Sequence, residues 1–193
     1  MNKNNENTTL SLSKHQIDSV MALYPSGKFN EAIESIQILN VKYPNVPLLF
    51  NILGVCYKAK GELEISIDMF NRAISIKPDY AEVHNNMGLT FLALKKLEDA
   101  SNSFKNATKY LPNFYAAYYN HAIVQKKMGN LKDAVSNYEK VIEIKPDYAE
   151  AHNNLGTLLM DLDKLDSSRK RYEKAIEIKP DFAEAYNNLG NLF

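Results

Sequence analysis

His84, His152 and Cys56 are residues of the types that bind metals or attack substrates. A metal site requires several ligands that converge at about 2 Å, whereas the two histidines lie far apart in the sequence. A nucleophilic cysteine requires a base beside it, and the sequence places no such base near Cys56. We therefore predict that all three are packing groups, that the chain is not an enzyme, and that it holds no metal or cofactor.

Regularly spaced asparagines suggest a different chemistry, the recognition of another polypeptide. The ladder residues are Asn86, Asn120, Asn154 and Asn188, each 34 residues after the one before. An asparagine amide offers one acceptor and two donors, so it can pair with both the C=O and the N–H of another backbone. Such a file favours recognition of peptide backbone over side chains. Whether the four amides face one surface depends on the elements that carry them.

The whole sequence repeats with the same period. The segments KPDYAEVHNNMG (77–88), KPDYAEAHNNLG (145–156) and KPDFAEAYNNLG (179–190) nearly coincide, and YLPNFYAAYYNHA (110–122) is a more divergent copy in phase. Prolines recur at the same interval, at Pro44, Pro78, Pro112, Pro146 and Pro180. Small residues recur likewise, at Gly54, Gly88, Ala122, Gly156 and Gly190. This self-similarity indicates a repeat architecture.

Each period contains two helical stretches. From Leu63 the apolar file continues with Ile67, Phe70 and Ile74, in steps that keep one helical face. Glycine marks the turn between the two helices in three units, and Lys95 and Asp163 replace it in the third and fifth. The predicted helix pairs are 13–24 and 28–42, 47–60 and 63–76, 81–94 and 97–110, 115–128 and 131–144, and 149–162 and 165–178, with a last helix from about 183.

These helices define the expected organisation of the chain. A disordered lead-in at 1–12 precedes units at 13–46, 47–80, 81–114, 115–148 and 149–182 and a partial unit at 183–193. Proline closes each second helix because it cannot continue the backbone hydrogen-bond ladder. The patterns Asp79-x-x-Glu82, Asp147-x-x-Glu150 and Asp181-x-x-Glu184 resemble capping boxes at the start of the next first helix.

The composition argues against several classes of partner. Lys plus Arg equals Asp plus Glu at 23 each, whereas nucleic-acid binders usually carry a basic excess. We therefore expect no nucleic acid and no membrane as partner. The polar N-terminus lacks the apolar run of a secretory signal, and the single cysteine fits a reducing compartment. We predict a cytoplasmic protein.

The spaced prolines and the aligned small and aromatic positions resemble the tetratricopeptide repeat family over residues 13–193. Val20 and His121 depart from the pattern, because they stand where a small and an apolar residue are expected. The resemblance implies an all-α fold, a right-handed superhelical α-solenoid of helix–turn–helix repeats whose first helices line a concave groove. It also implies that Asn86, Asn120, Asn154 and Asn188 face this groove, as in the repeat region of protein O-GlcNAc transferases.

Two roles for the ladder residues remain open at this stage. They could bind peptide, or they could serve helix packing, because asparagine is common at this position across the family. Asn85, Asn153 and Asn187 extend the polar strip, and Tyr119 interrupts it. The lysine pairs 95–96 and 126–127 are expected to be solvated.

The leading functional hypothesis is a non-catalytic scaffold that binds an extended peptide of a protein partner in its groove. The alternative is the substrate-recognition arm of a larger transferase (a glycosyltransferase, sulfotransferase or methyltransferase). Self-association through an uncapped C-terminal end is a further possibility. Leu189, Leu192 and Phe193 of the partial unit would supply its apolar surface.

Overall fold

The structure is a computed structural model that describes residues 12–192. These residues form eleven helices and no strand, which confirms the all-helical prediction. The helices are α1 Lys14–Met21, α2 Phe29–Lys42, α3 Pro47–Ala59, α4 Leu63–Ile76, α5 Ala81–Ala93, α6 Leu97–Tyr110, α7 Tyr115–Lys127, α8 Leu131–Ile144, α9 Ala149–Asp161, α10 Leu165–Ile178 and α11 Ala183–Gly190. The expected lead-in lies outside the described residues except for Leu12. No helix in 12–192 is long and apolar enough to cross a membrane.

The helix boundaries follow the predicted pairs closely, and the main difference is α1. It was expected at 13–24 but ends at Met21, because a series of turns leads from there to Gly27. Its beginning is defined by a capping box: the Ser13 side chain accepts a hydrogen bond from the Gln16 N–H, and the Gln16 side chain accepts one from the Ser13 N–H.

The capping boxes expected at α9 and α11 are wrong. The residues at the N-caps are Tyr148 and Phe182, and neither forms a side-chain cap. Each helix begins two residues after its aspartate, so Asp147 and Asp181 lie too early to be N-caps. The glutamates that complete the two patterns lie in the first turn, where a carboxylate still stabilises the positive end of the helix.

The described residues divide into two compact units, residues 12–83 and 84–192. In the first unit, α2, α3 and α4 bury one face each. The core of this unit includes Val20, Ile36, Leu49, Leu53 and Cys56, all less than 5% exposed. Val20 therefore packs inside the core even though it replaces the small residue expected at its position.

The second unit repeats one type of crossing between paired helices. At Gly88 an added Cβ would lie 2.7 Å from the Phe104 ring, and at Gly156 it would lie 2.7 Å from the Tyr172 ring. Gly54 and Phe70 make the same approach in the first unit. Gly54, Gly88 and Gly156 are therefore required because an aromatic ring from the partner helix fills the space of their missing side chains.

The turns inside the units share one backbone conformation. Gly27, Gly61 and Gly129 have φ values of 69°, 81° and 82°. Lys95 and Asp163 occupy the same left-handed region, at 59° and 57°. This region is disfavoured for residues with a Cβ, so two of the turns carry local strain.

Candidate peptide-binding surface

Three ladder residues of the second unit donate a hydrogen bond to a side chain of the preceding first helix. The pairs are Asn120 Nδ2 to Asn85 Oδ1 at 3.1 Å, Asn154 Nδ2 to the Tyr119 hydroxyl at 2.9 Å, and Asn188 Nδ2 to Asn153 Oδ1 at 2.9 Å. In each pair the residues lie 35 positions apart. The ladder amides therefore join successive repeats, which is the packing role left open above.

This packing role uses only part of each amide's hydrogen-bonding capacity. An asparagine side chain has two N–H donors and one oxygen with two lone pairs, and a ladder bond takes one donor. One donor and the oxygen of Asn120 and Asn188 are not needed for these bonds. Packing and peptide binding are therefore compatible at the same residue, and binding by the ladder stays a prediction.

The residues that receive these bonds lie deeper than the sequence suggested. Asn85 is 8% exposed and Asn153 is 1% exposed, so they do not widen a polar surface strip. Tyr119 does not interrupt the series, because its hydroxyl takes the acceptor role of an amide oxygen. In the sequence, each acceptor can be identified as a polar side chain directly before the ladder residue of its own helix.

One ladder residue lines a depression of about 460 Å³ in the second unit. Its walls come from the first helices α7, α9 and α11, with one residue of α8. The lining residues are Ile123, Lys126, Lys127, Tyr138, Asn154, Thr157 and Glu184. The lysine pair expected to be merely solvated thus borders this surface, and Lys126 forms an ion pair with Asp161 at 3.2 Å. The depression is open and of mixed polarity, which suits a chain segment.

Tyr138, which lines the depression, belongs to a cluster of three tyrosine rings. The ring of Tyr119 lies 5.6 Å from that of Tyr138 and 5.2 Å from that of Tyr148, centroid to centroid. Burial is the main cause that raises the pKa of Tyr119, and a hydrogen bond from Asn154 opposes it. Burial also raises the pKa of Tyr138, and it raises that of Tyr148 to about 12. The phenols stay protonated at neutral pH, so they can both accept and donate hydrogen bonds.

His121 belongs to a polar network that the sequence did not predict. Its Nε2 lies 3.0 Å from Ser101 Oγ and 2.9 Å from Gln125 Nε2, and Asn130 Nδ2 donates to Gln125 Oε1 at 2.8 Å. Burial is the main cause that lowers the pKa of His121. A neutral ring with an unprotonated Nε2 accepts from both neighbours. The network compensates for a polar residue at an apolar position, since a buried polar group must be hydrogen-bonded.

The remaining candidate residues lie in packed surroundings. His84 stacks on Tyr110, with centroids 5.3 Å apart, and His152 is 3% exposed with Nε2 3.0 Å from the Pro146 oxygen. Cys56 is fully buried, and burial raises the pKa of its thiol. Within residues 12–192 no three His, Cys, Asp or Glu side chains are grouped so as to hold a metal ion.

Solved structures with the same fold have low sequence identity to this chain. The crystal structure of MamA is 22% identical, with a TM-score of 0.78, over 91% of this chain and 99% of that chain. MamA from Desulfovibrio magneticus RS-1 is 16% identical, with a TM-score of 0.76, over 88% and 96%. YrrB is 19% identical, with a TM-score of 0.73, over 91% of each chain. No curated protein sequence matches the chain.

Family profiles cover more than half of the chain. The profile described as TPR repeat matches residues 54–95, 126–163 and 156–193. A second profile, described as tetratricopeptide repeat, matches residues 81–114. These matches include the close glycine–aromatic crossings at Gly54, Gly88 and Gly156 that are described above. The chain belongs to the tetratricopeptide repeat family.

Proposed function

We propose that the second unit is a scaffold that binds an extended peptide segment of a partner protein along its first helices. The observation that carries the proposal is the depression lined by α7, α9 and α11, with Asn154 in its wall. We assign binding, and no chemical step, to these residues. YrrB, a structural neighbour, is described as a TPR protein with an unusual peptide-binding site.

The spacing of the helices suits a bound chain. Packed helices lie about 8–10 Å apart, and an extended peptide advances about 3.3 Å per residue. Successive ladder residues would therefore meet the ligand about every third residue. Asn120 and Asn188 keep a donor and an acceptor for its backbone, and the depression at Asn154 admits one of its side chains. Lys127, which is exposed, would favour a carboxylate close by.

The expected affinity follows from the number of bonds. A net hydrogen bond contributes about 0.5–1.5 kcal/mol, so two ladder residues that each make one bond contribute roughly 1–3 kcal/mol. Their loss should weaken binding roughly 5- to 150-fold. A displayed library of random linear peptides provides the probe, and the selected peptides can then be titrated against each variant.

The variant Asn120→Ala with Asn154→Ala should lose most of the affinity for the selected peptides. Because both residues also join repeats, a matched control is needed. Tyr119→Phe removes the acceptor of the Asn154 bond without changing a ladder residue. It should lower stability and keep binding. Equal affinity in the double variant and in the unaltered chain would refute peptide binding by the ladder residues. An equal loss of affinity in the double variant and in Tyr119→Phe would show that the ladder residues act only by packing the repeats together.

A further inference from the structure

The outer face of α2, in the first unit, carries two apolar side chains in water. Ile38 is 72% exposed and Val41 is 87% exposed, the highest values among the exposed large apolar residues of the described chain. They lie three positions apart on one helix, so they form a single patch. Apolar residues exposed singly are ordinary, whereas contiguous apolar surface is the feature from which interaction sites are built.

The repeat fold does not require apolar side chains at these two positions. The equivalents of Ile38 in the other repeats are Arg72, Asn106, Lys140 and Lys174, and those of Val41 are Ser75, Lys109, Glu143 and Glu177. Every one of these eight residues is polar or charged. The four other second helices form without apolar residues at these positions. Packing within the repeats therefore does not explain why Ile38 and Val41 are apolar.

The charges around the patch are arranged with opposite signs at its two ends. Glu34 lies one turn before Ile38, and Lys42 lies next to Val41; both are exposed. The Lys42 ammonium rests 5.4 Å from the centroid of the Tyr43 ring. When a second α2 is laid antiparallel on this face, each Glu34 comes close to the Lys42 of the other copy. The face is therefore complementary to itself in charge as well as in apolar character.

We propose that α2 is a self-association surface on which a second copy of this chain binds antiparallel. The contact is isologous: the apolar pair of one copy covers that of the other, and two Glu34–Lys42 pairs flank it. One helix from each copy buries less area than a stable dimer interface, so the dimer is weak, with a Kd of roughly 10 µM to 1 mM. This surface shares no residue with the proposed peptide site or with α11.

Sedimentation velocity over a concentration series tests the apolar part. The unaltered chain should move from monomer toward dimer as its concentration rises through this range. Ile38→Lys with Val41→Glu, which copies Lys140 and Glu143 of α8, should remain monomeric with unchanged helicity. Tyr186→Glu, at an exposed apolar residue of α11, should dimerise like the unaltered chain. A monomer at every concentration, or loss of the dimer only in the Tyr186 variant, would overturn the proposal.

Charge exchange tests the antiparallel arrangement. Glu34→Lys and Lys42→Glu should each weaken the dimer several-fold, because each creates two like-charge contacts. The chain with both substitutions should recover the original affinity, and a mixture of the two single variants should form a mixed dimer. In a parallel arrangement Glu34 faces Glu34, so the single variants would keep the original affinity; that result would contradict the proposed geometry. Peptide binding by the second unit should not change in any of these variants.

Discussion

Gly156→Ala tests the close crossing between α9 and α10. The added Cβ would lie 2.7 Å from Cε1 and 2.8 Å from Cδ1 of Tyr172, well inside van der Waals contact. The ring cannot easily move aside, because it is fully buried and its hydroxyl donates to Thr157 Oγ1 at 3.2 Å. Separation of the helices would also stretch the 2.7 Å bond from Ser168 Oγ to the Gly156 oxygen.

Two opposing effects set the size of the change. Alanine improves helix propensity by about 1 kcal/mol relative to glycine. Overpacking of a well-filled core costs about 1–3 kcal/mol, and the fixed ring and the Ser168 bond that helix separation would stretch favour the upper part of this range. The net result should be a loss of about 1–2 kcal/mol, because the steric effect exceeds the gain in propensity.

Denaturant unfolding, followed by far-UV circular dichroism, measures this loss. Repeat proteins can unfold in steps, so the midpoint of the transition is compared between variants. The control is Gly190→Ala, which lies in the same 34-residue register but whose added methyl would meet nothing within 4 Å. The control should be as stable as the unaltered chain or slightly more stable. If Gly156→Ala matched the control, the ring would not be fixed in the way described.

Three further predictions concern the turns and the buried reactive groups. Lys95→Gly and Asp163→Gly should each stabilise the chain by about 0.5–1 kcal/mol, because the relief of left-handed strain exceeds the extra chain entropy that glycine adds to the unfolded state; an unfolding midpoint that fell would contradict this. Burial lowers the pKa of His152 below its usual 6.5, so the unfolded state binds more protons and stability should fall as the pH drops below about 6.5. This fall in stability should be smaller in His152→Phe. If the variant and the unaltered chain lost stability over the same pH range and to the same extent, the assignment of the effect to His152 would be wrong. Cys56 should react slowly with a thiol reagent in the native chain and rapidly in denaturant, because burial raises the pKa of its thiol; equal rates would show that it is accessible.

Three further features expected from the sequence stay predictions. The transferase alternative is tested by the sequence that follows residue 193 in the gene. The resemblance to the repeat region of O-GlcNAc transferases is tested by peptide binding through Asn120 and Asn154. Self-association through α11 is tested by the Tyr186 variant described above.

The candidate site was only partly predictable. The positions of Asn120, Asn154 and Asn188 follow from the 34-residue period, and the structure places all three on first helices. Their hydrogen-bond partners did not follow, because a period shows which residues are equivalent and not which of them touch. The sequence pattern therefore indicates an interruption at Tyr119, whereas its hydroxyl accepts the Asn154 bond in place of an amide oxygen.

The sequence by itself determined the helices and their order. Local signals are enough for this: proline ends a helix, glycine permits the turn, and apolar residues at helical spacing define the buried face. Tertiary structure alone decided the contacts across the repeats. The network of His121 with Ser101 and the bonds of the ladder join residues 20 and 35 positions apart, and only packed helices bring such atoms to hydrogen-bonding distances of 3.0 and 3.1 Å. The energy of a buried polar group depends on these partners, so its role is determined only when the helices are packed.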